Sequence, residues 1–80
     1  CYYFAVSATN FPDNSGLSYT CADSGGVYWG PTSYVENGSS TINGSGSANF
    51  TTVCVHANDG ETVTITVTAG GKSASGQYTT

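Results

Sequence analysis

From Glu61 to Ala69 apolar and polar residues alternate without a break: Val63, Ile65, Val67 and Ala69 are apolar, and Thr62, Thr64, Thr66 and Thr68 fill the gaps. A period of two in β-branched residues predicts a strand with one buried face. Gly70-Gly71 follows as a two-residue hairpin turn, pairing Ala69 with Lys72, Val67 with Ala74, Ile65 with Gly76 and Val63 with Tyr78. On the other side, Ala57-Asn58-Asp59-Gly60-Glu61 has the chemistry of a three-residue hairpin loop, a type I turn closed by a left-handed glycine. That loop pairs Ala57 with Glu61, Val55 with Val63, Val53 with Ile65 and Thr51 with Val67. A four-residue loop would set Val55 against Thr64 and scatter the valines over both faces. The pattern therefore predicts a three-stranded antiparallel meander over 50–57, 61–69 and 72–79. Val53, Val55, Ala57, Val63, Ile65, Val67, Ala69, Ala74, Gly76 and Tyr78 form its core face. Thr52, Cys54, His56 and the threonines of 62–68 lie on the other. The last strand is small-sided at Ala74 and Gly76, which leaves room for a bulky partner across it.

Eight of the ten aromatic residues precede position 35. "YYFAVSA" (2–8) is apolar on both alternations, as a strand buried on both sides would be, with a short helix as the alternative. "NFPDNSG" (10–16) is a turn cluster, "LSYTCA" (17–22) a strand, "DSGG" (23–26) a turn and "VYWG" (27–30) a strand ended by Pro31. The low-complexity stretch 36–49 reads as an exposed, flexible Gly/Ser/Asn-rich loop or an edge strand of poor register. Six or seven short strands in 80 residues predict one all-β domain, a small antiparallel sandwich or partly open barrel.

Composition narrows the function classes. The net charge is −4, with a single lysine and no arginine. Phosphate contacts need clustered basic side chains, so nucleic acid is excluded as a partner. No segment approaches the length of a membrane span. Three cysteines among few charges point to an oxidising, extracellular setting, and the odd number leaves one over. A Cys21–Cys54 bridge is expected, although Cys54 points away from the valine face in the predicted register. Cys1 is then left for an intermolecular disulfide or a lipid. A bridge from Cys1 to either of the others stays open.

Candidate chemistry is sparse. Cys54, His56 and Asp59 suggest a nucleophile and a base, but no oxyanion hole or pocket accompanies them, and a polar-face histidine is the plainer reading. One C-x-H pair cannot fill four zinc positions. The acidic turns at Asp13, Asp23 and Asn58–Glu61 offer oxygen to calcium, yet ordinary turn chemistry accounts for each. Gly71-Lys72-Ser73 ends like a phosphate-binding loop, but Thr66 stands where that motif needs glycine. No cofactor or metal is expected, and an enzyme is the least expected class. Asn37, Asn43 and Asn49 begin glycosylation sequons spaced six apart, about what composition alone would supply. Tyr28, Trp29 and Tyr34 could stack on sugar rings or simply fill the core. The run "TVTITVT" suggests an ice-binding ladder, but such a surface needs several flat strands and only one is seen to carry it.

An aromatic-rich first strand, then "SYTCADSGGVYW", then a threonine-rich meander resembles the globular heads of type IV pilin-like filament subunits. Small immunoglobulin-like domains of bacterial surface proteins are similar in the same way. The resemblance implies self-association, or a partner subunit that supplies a helix to the small-sided strand. The expected function is thus an extracellular structural subunit of a filament, pilus or surface layer. Rival expectations are a polysaccharide-binding module using Tyr28, Trp29 and Tyr34, and a small secreted inhibitor or toxin.

Overall fold

The computed structural model describes residues 1–23 and 34–80, and for 34–36 the backbone alone. Six strands follow in order: β1 (Ala5–Ala8), β2 (Gly16–Asp23), β3 (Tyr34–Thr41), β4 (Ala48–Thr51), β5 (Thr62–Ala69) and β6 (Lys72–Thr79). They form two antiparallel sheets, one of four strands in the order β3-β2-β5-β6 and one of two, β1-β4. The domain is all-β, as the composition requires. The buried faces meet in one core, with Phe4, Val6, Ala8 and Ala48 from the small sheet and Leu17, Tyr19, Cys21, Val63, Ile65 and Val67 from the large one.

The C-terminal hairpin forms in the predicted register, Ala69 opposite Lys72 through Val63 opposite Tyr78. Gly70 and Gly71 both have positive φ, 55° and 81°, as a two-residue turn demands. The third strand of the expected meander does not form. β2 occupies the far edge of β5 instead, pairing Leu17 with Ala69, Tyr19 with Val67 and Cys21 with Ile65. This ladder buries Leu17, Tyr19 and Cys21 against the inner row of β5, a better match than Val53, Val55 and Ala57 offer.

Residues 48–51 pair with β1, Ala48 opposite Ala8 and Thr51 opposite Ala5. Gly60 does take the left-handed conformation (φ 81°), but its loop changes sheets instead of closing a hairpin. The C-terminal residue holds it there. Gly60 N–H donates to Thr80 O at 3.0 Å, Thr80 N–H to Glu61 O at 3.0 Å, and Thr80 Oγ1 to Asn58 O at 2.7 Å.

The predicted faces of Thr52 and Val53 fail for a specific reason. Thr52 N–H donates to Phe4 O at 2.9 Å, while Tyr2 and Val55 exchange both backbone bonds at 2.8 Å. Two steps on one strand thus match three on the other, which is a one-residue bulge. Parity reverses across it: Thr52 and Val55 are both buried, and Val53 is 37% exposed. The buried Thr52 hydroxyl accepts from Phe4 N–H at 3.0 Å and donates to Val53 O at 2.9 Å. The bulged Val53 N–H donates to the Tyr19 hydroxyl at 3.0 Å, so the large sheet caps the irregularity of the small one.

Two further expectations are revised. The segment 2–8 is buried on one side only: Phe4, Val6 and Ala8 face the core, while Tyr3, Ala5 and Ser7 are exposed. Much of the low-complexity stretch is an edge strand in continuous register, β3 against β2 from Thr41–Gly16 to Tyr34–Asp23. Gly38 stands opposite Tyr19, and a side chain there would overlap the Tyr19 phenol. That ring also stacks on Phe50, with centroids 4.9 Å apart.

Tyr19→Phe keeps the ring and leaves the Val53 N–H without its acceptor. Loss of about 1–3 kcal/mol is expected in urea denaturation. Gly38→Val should cost more, because it displaces the ring itself.

Candidate functional site

The disulfide joins Cys1 to Cys54, and Cys21 lies outside any disulfide, buried in the core at 0% exposure. The expected Cys21–Cys54 bridge is therefore corrected, as is the assignment of Cys1 to an intermolecular or lipid bond. Cys21 belongs to the inner row of β2 with Leu17 and Tyr19. Cys54 lies in the bulge, and the Tyr2–Val55 bridge brings the first residues of the chain alongside it, with Cα atoms of Cys1 and Cys54 5.5 Å apart.

His56 lies beside this bridge, with ligand atoms of Cys1, Cys54 and His56 all within 4.8 Å of one another. Both sulfurs are spent in the disulfide, so neither is a thiolate ligand or nucleophile in this state. No group of three acidic residues gathers elsewhere among the described residues.

Tyr28 and Trp29 lie outside the described residues. Tyr34 begins β3, and its side chain is likewise outside them. Asn37, Asn43 and Asn49 are exposed, but they do not share one extended face. Asn37 is on β3 of the large sheet and Asn49 on β4 of the small one, with Asn43 in the turn between them. The Asn43 carboxamide oxygen accepts from Ser45 N–H at 2.8 Å and Ser47 N–H at 3.2 Å, so it organises that turn. Asn49 Oδ1 accepts from the Ser7 hydroxyl at 2.5 Å across the β1–β4 pair.

Two surfaces stand out. The first is the outer face of the large sheet. The register aligns Thr66 with Thr20 and Ser75, and Thr68 with Ser18 and Ser73; Ser18 and Thr20 in turn face Ser39 and Asn37. Hydroxyl rungs bond across it, Thr66 to Ser75 and Thr68 to Ser73, each at 2.9 Å. The hydroxyl surface seen in sequence on one strand thus spans four. The contribution of β2 was visible as Ser18 and Thr20 alternating with Leu17, Tyr19 and Cys21, but only pairing puts it on one plane with Asn37 and Ser39 of β3. Among the described side chains this face carries no ionisable group.

The second surface is a groove of about 200 Å³ on the inner side of β6, walled by Val6–Thr9 of the β1 region and floored by Ile65 and Val67. The small sheet has two strands and the large one four, so β6 overhangs. Ala74 and Gly76 share the inner face with Val67 and Ile65, yet both are exposed. Two side chains span the groove ends, Lys72 Nζ donating to Asn10 O at 2.9 Å and the Tyr78 hydroxyl lying 3.4 Å from Ala5 O.

Comparison of the chain with protein-family models, curated proteins and solved structures found no match.

Without reductant, the native protein should show no thiol reactive toward Ellman's reagent, and the unfolded protein one per chain. Reducing the Cys1–Cys54 bridge, which closes a 53-residue separation, should lower stability by about 4 kcal/mol on the chain-entropy account.

Proposed function

We propose that this domain is an extracellular structural subunit, packing against copies of itself in a cell-surface filament, pilus or surface layer. The observation that carries the reading is the four-stranded outer face. In a chain of net charge −4, a plane of Ser, Thr, Asn and Gln with no ionisable group among its described side chains avoids like-charge repulsion when two such planes meet. Its hydroxyls offer donors and acceptors at the strand spacing, the means of a dense polar contact. The Cys1–Cys54 disulfide supports an oxidising location. No described helix is long and apolar enough to cross a membrane.

The test is size-exclusion chromatography with light scattering and negative-stain electron microscopy of the oxidised protein over a concentration series. Ordered higher assemblies are expected, and a species strictly monomeric at every concentration would overturn the reading. Thr20→Lys adds a charge at the centre of the outer face, where the side chain is exposed. It should weaken assembly at least tenfold while shifting folding stability by no more than about 0.5 kcal/mol.

A further inference from the structure

We infer that the groove beside β6 is one half of a two-fold interface in which β1 of each copy pairs with β6 of the other. The inference deepens the self-association reading above and rests on it.

Backbone parity comes first. Phe4 directs its backbone groups toward Thr52 and the β4 side. Alternation therefore turns the N–H and C=O of Ala5 and Ser7 to the opposite, open edge of β1. The Tyr78 hydroxyl donates to Ala5 O on that edge at 3.4 Å, a contact that the backbone N–H of Gln77 from the second copy replaces. In β6 the two-residue turn makes Ala69 and Lys72 a hydrogen-bonded pair, so Lys72, Ala74, Gly76 and Tyr78 bond toward β5. Ser73, Ser75, Gln77 and Thr79 then turn their backbone groups outward. Neither edge has a strand partner among the described residues.

Side-chain parity decides what fits these edges. Lys72 reaches Asn10 at one end of the groove and Tyr78 reaches Ala5 at the other, so β1 and β6 run antiparallel. A two-fold axis along the strands, set between the sheets, keeps that direction and brings β6 of the second copy beside β1. Ser7 then meets Ser75 of the second copy and Ala5 meets its Gln77, each pair exchanging backbone bonds. Val6 falls beside Gly76 and Ala8 beside Ala74 of the second copy, all four on the inner side. A register one residue away would put inner side chains outside.

The operation is reciprocal, so both junctions form at once and the contact closes on itself. Each small sheet continues into the other copy's large sheet, giving two stacked six-stranded sheets. The two β6 strands face each other across the axis, with Ala74 and Gly76 opposite their own copies in the middle, the Lys72 pair at one end and the Tyr78 pair at the other. None of the residues brought together at the junctions is charged, which lets two acidic molecules meet there. A helix laid in the groove would cover Ala74 and Gly76 but leave the open edge of β1 without hydrogen bonds. The outer faces and the β3 edges stay exposed, so the dimer can serve as a repeating unit.

The experiment combines sedimentation equilibrium with residue-resolved amide exchange on the intact, oxidised protein. A monomer–dimer equilibrium is expected, with the amides of Ala5, Ser7, Ser75 and Gln77 gaining at least tenfold protection as concentration rises. Ala74→Glu places two carboxylates face to face at the axis, at a position exposed in the monomer. Ser75→Pro removes one outward N–H and spares the β5 ladder. Both should remain folded by circular dichroism and shift the dimer dissociation constant upward by tenfold or more. Self-association with no concentration-dependent protection at these four amides, or unaffected by both substitutions, would overturn this interface and leave the subunit reading standing. A protein monomeric throughout would overturn both.

Discussion

The ladder between β2 and β5 sets Leu17, Tyr19 and Cys21 opposite Ala69, Val67 and Ile65, and the rest of the molecule follows from it. A strand has two edges, and the turn at Gly70-Gly71 commits one edge of β5 to β6. Once β2 holds the other, the segment before Asn58 has no place in the large sheet. It joins β1 instead and becomes the second layer. The core is what these two unequal layers enclose, and the overhang of β6 is what they fail to cover.

Long-range ties keep the small layer in place, because two short strands have little stability alone. The Tyr19 hydroxyl holds the bulged Val53 N–H from the opposite sheet. The Cys1–Cys54 bond fastens the start of the chain beside the same bulge. At the far end of that connection Thr80 bonds both Asn58 and Glu61. The bulge is thus the point where both layers, the disulfide and His56 come together, which explains why a cysteine and the only histidine sit near each other.

Among the described residues bonding capacity of two kinds is left over, and the proposed self-association would use both. The outer face of the large sheet offers hydroxyls in rows without charge. The edges of β1 and β6 offer backbone donors and acceptors next to small apolar side chains. A monomer normally blunts such edges with charge, proline or cover. Here Lys72 alone stands at one end, and the described remainder of β6 is uncharged. A surface left open in this way is expected where a neighbour supplies the cover.

Local chemistry made the β5–β6 hairpin legible down to its residue pairs, because a two-residue glycine turn leaves one register and strict alternation confirms it. The all-β class, the strand at 17–22 and the left-handed Gly60 were legible for the same reason: each depends on a few neighbouring residues. The partner of β5, the pairing of the cysteines and the faces of Thr52 and Val53 were not. Those depend on which distant strand matches a buried row best, and on a single extra residue whose bulge reverses every side chain beyond it. Alternation along the chain establishes that a strand has an inside. Only the assembled sheets decide which strand lies beside it, and so which cysteine is within reach of Cys54.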